Sequence, residues 1–443
     1  MKKYLTILGA GLAGSEAAWQ AAERGVPVVL CEMRPVRPTP AHKTQNCAEL
    51  VCSNSLGNNQ PYSAPHLLKE ELRKFNSIVI GVGDDHAVPA GSALAVDREL
   101  FSNEITAKLS AHPNITLKRE EVTEIPEEGP VIIATGPLTS PRLSENISQL
   151  IGQQYLYFYD ALSPVVDANS IDYTKTFFAS RYNKGGDDYL NCPLNEEQYS
   201  TLVRELRTGE TVPLKSFEKP VYFEGCMPIE DLAMRGERTL AFGPLKPVGL
   251  LHPETKKQFH AVVQLRRENK SGTAYNLVGF QTKLTYPEQK RVLRMIPGLE
   301  KAEFFRLGAI HRNTFINAPS LLTRELDLKQ GGGIYFAGQI IGVEGYVESA
   351  AMGLLAALSA VARIKGERYS APPPDTAMGS LLSYVTGPQI KSYQPMNINY
   401  GLFQVNEMKI RKKRERNQKI AVKALESISR WMESLDGKMG SAA

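Results

Sequence analysis

Hydrophobic positions at the start of the chain follow a strand, turn, helix and strand pattern. An apolar run from Tyr4 to Leu8 leads into a glycine-rich turn over 9–14, and a helical stretch follows as far as Arg24. A second apolar run, from Val26, ends in the acidic residue Glu32. This order predicts a β-α-β unit of the kind that binds dinucleotides.

Each glycine of the turn has a separate physical reason. Gly9 permits the tight turn, Gly11 lets the backbone approach a pyrophosphate, and Gly14 lets the helix lie close to the strand. The helix N-terminus offers N–H donors to phosphates, and Glu32 is placed to accept hydrogen bonds from a ribose diol. The spacing favours a dinucleotide over S-adenosylmethionine, the other ligand considered for such a turn. The predicted contact residues in the turn are Gly9, Ala10, Gly11, Leu12, Ala13 and Gly14.

Two later apolar runs also end at glycines. One covers 131–136 and ends in Thr135 and Gly136, and the other covers 332–338 and is followed by a small-residue helix. The pattern resembles FAD-binding enzymes of the glutathione-reductase structural family, in which a late glycine turn approaches the flavin. That resemblance adds four predicted cofactor contacts in the late turn: Gly338, Gln339, Gly345 and Tyr346.

The predicted fold class is therefore α/β, with a discontinuous Rossmann-like FAD-binding domain. It would comprise residues 1–150 and 310–370, and an α/β substrate domain would be inserted over 151–309. Residues 371–443 would form a C-terminal extension carrying a basic helix, for which the helical pattern runs from Gln404 to Met432.

Composition is that of a soluble globular protein. The 443 residues are 42% hydrophobic and 22% charged, and the longest mostly apolar run, 350–362, is shorter than the roughly 20 residues that span a bilayer. No transmembrane helix is expected. The five cysteines are odd in number and contain no CxxC pair, so we expect free thiols, a cytoplasmic location, and neither a disulfide framework nor a metal site.

Charge is concentrated near the C-terminus. The net charge is only +5, but residues 409–423 hold eight basic side chains and one acidic one. Such a segment can bind the phosphates of a polynucleotide, with Lys412 and Arg414 as candidate contacts, or it can be a solvated helix face.

Two cysteines have settings that favour chemistry over packing. Cys52 lies in Leu50-Val-Cys-Ser-Asn-Ser55, shortly after the second strand, and Cys226 lies in a glycine-flanked turn before Met227 and Pro228. A generic cysteine is more often a small buried hydrophobe, which is how we interpret Cys31.

Four stretches together resemble the TrmFO family, the bacterial methylenetetrahydrofolate- and FAD-dependent tRNA uracil-5 methyltransferases. The resemblance runs from residue 2 to about residue 405, and the stretches agree with the family in order and spacing. They are 9–18, 50–55, 223–230 and 336–349. The resemblance implies FAD as cofactor, 5,10-methylenetetrahydrofolate as carbon donor, NADH or NADPH as reductant, and uracil 54 of the tRNA T loop as target. It implies no membrane and no obligate protein partner.

The same resemblance implies roles for single residues. Cys226 would add to C6 of uracil, and Cys52 would be the second catalytic thiol, either a base at C5 or a protector of the methylene intermediate. Tyr346 would stack on the flavin or the pterin, unless it is a core tyrosine. Arg312 and Asn313 would bind folate or nucleotide, or brace the domain junction. His311, a weak candidate for a general base, lies beside them.

Three rival functions stay open from sequence. A GidA-like tRNA wobble-uridine protein would share the FAD domain, but its chains are longer, with a large helical C-terminal domain. A small-molecule flavin oxidoreductase would ignore tRNA, and an RNA-binding flavoprotein without turnover would bind it unchanged.

Overall fold

The structure is a computed structural model. It describes residues 4–39, 41–152, 155–183, 186–213, 222, 227–252, 255–388, 393–404, 410 and 412–439, and the side chains of Phe158, Asn183, Arg312 and residues 436–439 lie outside the description. The strands are β1 (Leu5–Leu8), β2 (Val28–Glu32), β3 (Ser55–Asn58), β4 (Ala87–Val88), β5 (Ala93–Val96), β6 (Ile115–Arg119), β7 (Val131–Ile133), β8 (Leu156–Ala161), β9 (Val165–Asp167), β10 (Phe177–Phe178), β11 (Tyr189–Leu194), β12 (Ala261–Arg267), β13 (Ala274–Leu277), β14 (Phe304–Arg306), β15 (Ile310–Phe315) and β16 (Ile334–Phe336).

The helices follow the same chain order. They are α1 (Leu12–Glu23), α2 (Ala64–Lys74), α3 (Ile78–Asp85), α4 (Arg98–Ala111), α5 (Pro141–Ile151), α6 (Glu196–Thr208), α7 (Ile229–Met234), α8 (Thr239–Phe242), α9 (Tyr286–Leu293), α10 (Ala318–Leu321), α11 (Tyr346–Lys365), α12 (Ala377–Thr386) and α13 (Lys413–Met439).

A five-stranded parallel sheet forms the centre of the first core. Its order is β16-β7-β1-β2-β6, and both β1 and β7 are buried along their whole length. Continuous apolar strands suit a parallel sheet because helices cover both of its faces. The β-α-β unit predicted from sequence is therefore confirmed.

Helix α11 packs on α1 at backbone distance. A methyl group added at Gly353 of α11 would lie 2.1 Å from the carbonyl oxygen of Ala13, so only glycine lets the two helices approach this closely. Among the described residues, α11 is also the one helix long and apolar enough to cross a membrane, but 83% of its most apolar window is buried inside the protein. Its hydrophobicity is accounted for by the core.

A six-stranded antiparallel sheet forms a second core. Its order is β10-β11-β12-β13-β9-β14, and the buried residues around it run from Val166 to Ala302. The first core takes its residues from before and after this stretch, so one core is inserted into the other. The antiparallel pair of β8 and β15 runs along both connections.

The C-terminal helix α13 packs against the first core. Its buried residues include Ile420, Ala424, Ile428 and Trp431, and the Trp431 indole N–H donates to the Ser370 carbonyl at 2.8 Å. The helix begins at Lys413, whereas the sequence pattern predicted a helix from Gln404; that earlier start is wrong, because the described residues Gln404, Ile410 and Lys412 are not helical.

Candidate functional site

The functional cleft lies at the carboxyl ends of the parallel strands. Turns that follow β1, β2, β7 and β16 meet there with the first turn of α11, as expected for ligand sites of open α/β sheets. Ten of the thirteen predicted cofactor residues line this cleft, and Ala10, Gly14 and Gly345 belong to the same turns. The ten are Gly9, Gly11, Leu12, Ala13, Glu32, Thr135, Gly136, Gly338, Gln339 and Tyr346.

The glycine turn is shaped as the dinucleotide hypothesis requires. Gly9 has φ +95°, and a methyl group added at Gly14 would lie 1.8 Å from the Gly9 carbonyl oxygen. A methyl group added at Gly11 would meet nothing within 4 Å, because that position faces the open cleft. Helix α1 has no side-chain cap and no acidic residue in its first turn. Its N-terminal N–H groups are therefore open to an anion such as a pyrophosphate.

Glu32 is held as a carboxylate at the wall of the cleft. It accepts hydrogen bonds from the Ala10 N–H at 3.0 Å and from the Arg34 N–H and Nε at 3.0 and 2.9 Å. Burial opposes its ionisation, but the hydrogen bonds and charge of Arg34 outweigh burial and lower the pKa of Glu32. An ionised acceptor at this position fits the ribose contact predicted from sequence.

A loop after β2 adds cleft residues that the sequence reasoning missed. Arg34, His42 and Glu49 line the cleft, and Arg34 pairs with Glu49 at 2.9 Å. Glu49 in turn accepts from the N–H groups of Lys43 and Thr44 at 2.8 and 3.0 Å. Burial, with the charge of Arg34, lowers the pKa of His42 to about 4, so this imidazole is neutral at pH 7. The only sequence signal for the loop is its position directly after the acid that ends β2.

Cys52 lies at the rim of the cleft, joined to it by Tyr346. The Cys52 N–H donates to the Tyr346 hydroxyl at 2.8 Å, and burial, followed by the Cys52 thiol, raises the pKa of Tyr346. The tyrosine is therefore a neutral hydroxyl that lines the cleft and fixes the neighbouring peptide. Two residues 294 positions apart in sequence are brought together as the predicted site requires.

Cys52 differs from the other described cysteines in its exposure. It is half-buried, whereas Cys31, Cys47 and Cys192 are buried. Burial raises the pKa of Cys31 to about 11, and burial also raises the pKa of Cys47 and of Cys192. Cys47 and Cys192 are thiols of the protein interior, Cys31 is a buried thiol at the wall of the cleft, and Cys52 is the most exposed of the four described thiols. Cys226 lies outside the described residues.

Two members of the predicted cluster on β15, His311 and Asn313, are not among the described residues that line the cleft. Asn313 is 4% exposed and pairs with Phe158 of β8, a position that fits the brace between the cores better than a ligand contact. The backbone of Arg312 is in the same strand, and its side chain lies outside the described residues. Burial, followed by the charge of Arg306, lowers the pKa of His311.

The predicted RNA contacts at the start of α13 are exposed. We define the basic quartet as Lys412, Lys413, Arg414 and Arg416, all of which are exposed to solvent. Lys409 and Arg411, from the same charged segment, lie outside the described residues. The quartet is therefore available to a polyanion, though exposure alone fits a solvated helix face equally well.

Comparison with known proteins assigns the chain to a family. The family model described as Glucose inhibited division protein A matches residues 4–368. A methylenetetrahydrofolate--tRNA-(uracil-5-)-methyltransferase TrmFO of Heliobacterium modesticaldum is 58% identical over 97% of this chain and 98% of its own length. The TrmFO of Bacillus mycoides is 55% identical over 97% of this chain and 99% of its own. The chain belongs to the TrmFO family.

Solved structures agree on the fold. The structure of Aquifex aeolicus GidA superposes with a TM-score of 0.72 at 17% identity, covering 98% of this chain and 76% of that one. The part of GidA without a counterpart here fits the sequence argument that GidA chains extend further. Family membership and the glycine turn together account for the cleft as a flavin dinucleotide site, and the residues present fit FAD.

Proposed function

We propose that this chain methylates C5 of a tRNA uracil, taking the carbon from 5,10-methylenetetrahydrofolate and electrons from NADH or NADPH. The target we infer is uracil 54 of the T loop. The observation that carries the proposal is the placement of Cys52, a reachable thiol whose N–H is bonded to a tyrosine of the dinucleotide cleft. A cofactor site and an exposed thiol are thus neighbours, in a chain whose relatives over 97% of its length are named for this reaction.

Thiols suit this chemistry because uracil C5 is a feeble nucleophile at neutral pH. When a thiolate adds to C6, the ring electron pair moves to the C4 carbonyl as an enolate, and C5 becomes nucleophilic. C5 then forms a bond to the one-carbon unit and loses its proton to a base. The bond between that carbon and the folate breaks, which releases tetrahydrofolate. The resulting methylene takes up two electrons and a proton to become a methyl group, and the thiolate leaves C6 to restore the C5–C6 double bond. A cysteine is suited to the addition because a few per cent is already thiolate near pH 7.

Some residues at the cleft would bind the cofactor, and others would accept or hold a proton. The turn at Gly9–Gly14 and the acceptor Glu32 would hold the pyrophosphate and ribose of FAD. Bound FAD supplies two-electron redox chemistry, which the reduction of a methylene to a methyl group needs. Tyr346 fixes the Cys52 peptide, and Cys52 is the described group placed to accept or hold a proton at the rim. We keep Cys226 as the thiol that adds to C6, on family resemblance.

Recognition of tRNA needs basic surface in a protein of modest net charge. The exposed basic quartet is our candidate, and binding through it should weaken steeply with salt because phosphate contacts release counterions. The target base must also leave its stack, at a cost of a few kcal/mol that contacts to the protein must offset. We expect the protein to act in a reducing cytoplasm without an obligate protein partner.

Transfer of a labelled methylene carbon to RNA tests the proposal. Purified protein with FAD, labelled methylenetetrahydrofolate and NADH or NADPH is incubated with an unmodified tRNA transcript, and with a matched transcript carrying cytosine at position 54. The proposal predicts label only in the first. Label in both would refute uracil 54 as the target. Flavin turnover without label in either would assign the protein to small-molecule redox chemistry, and tRNA binding without label would make it an RNA-binding flavoprotein.

A further inference from the structure

Two arginines form hydrogen bonds with the backbone of the segment that carries Cys52. Arg306 donates from Nη1 to the Val51 carbonyl and from Nη2 to the Cys52 carbonyl, both at 2.9 Å. Arg98 donates to the carbonyl of the preceding residue, Leu50. Three consecutive carbonyls thus accept from guanidinium groups, while the Cys52 N–H is bonded to Tyr346. Planar guanidinium forks suit such paired acceptors.

The hydrogen bonds from Arg306 join the two cores. Cys52 follows β2 of the first core, whereas Arg306 ends β14 of the inserted core. Asn54, two residues after the thiol, adds a second tie: its amide donates to the Arg267 carbonyl at 2.9 Å and accepts from Arg266 Nε at 2.9 Å. The position of the thiol at the cleft is therefore set by the inserted core.

The charges around this segment do not cancel. Arg98 is paired with Glu268, whose two oxygens lie 2.9 to 3.1 Å from its guanidinium. Arg306 has no carboxylate in ion-pair contact within the part of the chain that the structure describes, and its Nε is buried without a hydrogen-bond partner there. Burial, then the charge of Arg98, lowers the pKa of Arg306 to about 10, so it is still a cation at pH 7. Among these three side chains two are cations and one is an anion, so together they carry one positive charge next to the peptide that bears the thiol.

We propose that Arg306 is a positioning residue for Cys52: it fixes the thiol-bearing peptide at the rim of the cleft and places a positive charge at the carbonyl oxygens of that peptide. A nearby cation favours the thiolate, which is the reactive form of cysteine. The catalytic meaning of this inference rests on the proposed function, but its effect on the thiol does not. Arg306 acts through Cys52 and has no assigned contact with substrate.

Alkylation of Cys52 in the flavin-loaded protein tests the charge directly. Iodoacetamide is applied at pH 7 without RNA, and modification of the Cys52 peptide is followed by mass spectrometry. Arg306→Met should slow alkylation about 3- to 10-fold, because it removes the cation that favours the thiolate. Arg306→Lys keeps the charge and should alkylate within about twofold of wild type.

The matched control is Arg294→Met. Arg294 also lies in the inserted core and donates from Nε and Nη2 to one carbonyl, that of Ala302, at 3.1 and 3.0 Å. Its loss should leave Cys52 alkylation unchanged. Alkylation of Arg306→Met at or above the wild-type rate, or equal slowing in Arg294→Met, would overturn the proposal, because the arginine would then be a structural clamp only.

Turnover supplies the second readout. Because a misplaced reactive group can cost about 100-fold in rate, we expect Arg306→Met to lower kcat about 10- to 100-fold with a KM for tRNA within about threefold of wild type. Arg306→Lys should lower kcat less, because it loses the two-pronged grip but keeps the charge. If Arg306→Met fails to fold, the lysine variant decides: unchanged kcat would overturn the positioning role. Absence of RNA methylation in wild type would refute the proposed function, while the alkylation comparison would still test Arg306.

Discussion

Gly11 offers a substitution that separates cofactor binding from folding. Its backbone has φ −69° and ψ −169°, which alanine adopts without strain, and an added methyl group meets no atom within 4 Å. We therefore expect Gly11→Ala to lower the free energy of unfolding of the flavin-free protein by no more than about 0.5 kcal/mol. It could raise that free energy by up to about 1 kcal/mol, because alanine reduces the conformational entropy of the unfolded chain.

In the flavin-bound protein the same methyl group would face the part of the cleft where we expect the pyrophosphate. Loss of one charge-assisted hydrogen bond to a backbone N–H costs about 1.5–3 kcal/mol, which is about a 10- to 100-fold loss of affinity. The assay is titration of flavin-free protein with FAD by calorimetry, beside thermal unfolding without flavin.

Alanine substitutions at two other glycines serve as comparisons. Gly81 is exposed in α3 and an added methyl group also meets nothing, so Gly81→Ala should leave FAD affinity unchanged. Gly14→Ala should destabilise the flavin-free protein itself, because its methyl group would lie 1.8 Å from the Gly9 carbonyl oxygen. Wild-type FAD affinity in Gly11→Ala would refute the placement of the pyrophosphate against this turn.

Three further predictions concern pH, RNA and the C-terminal helix. Burial, then the charge of Asp160, raises the pKa of Glu344 from 4.5 to about 8, so the folded state favours the protonated acid and stability should fall as pH rises from about 5 to 8. Between pH 6 and pH 8, the free energy of unfolding in urea should fall by about 1–2 kcal/mol less in Glu344→Gln than in wild type. An identical fall in both proteins would contradict this assignment to Glu344. Neutralising the basic quartet should raise the KM for tRNA with unchanged FAD content, and an unchanged KM would make the quartet a solvated face. Trp431→Ala should cost about 3–5 kcal/mol of unfolding free energy, because its buried ring packs on Phe75 at 5.4 Å and its indole bonds Ser370; a loss below 1 kcal/mol would argue against docking of α13 in solution.

Local patterns predicted the elements that surround the cleft. The strands, the glycine turn and Glu32 depend on short-range rules, namely apolar runs, the conformational freedom of glycine and an acid at a strand end. They therefore lie in the structure as expected from sequence. The inserted position of the second core followed from the fold resemblance, and its exact limits stay a prediction.

Contacts between distant parts of the chain could not be predicted from local patterns. The hydrogen bond from Cys52 to Tyr346 and the grip of Arg306 on the Cys52 peptide join residues more than 250 positions apart, and no local pattern encodes them. The start of α13 was predicted too early, because the helical composition of the segment does not mark the residue at which the helix begins. Asn313 was predicted either to contact a ligand or to brace the domain junction, and its burial, which favours the brace, could not be read from one strand.

We propose that a thiol at the flavin cleft acts in methylation of tRNA. The decisive measurement is methyl formation on an unmodified transcript by wild type, Cys52→Ala and Cys226→Ala, with FAD content measured in each. We expect ribothymidine in the T loop with wild type and none with either variant, while all three keep their flavin. Wild-type ribothymidine formation by Cys52→Ala would contradict it.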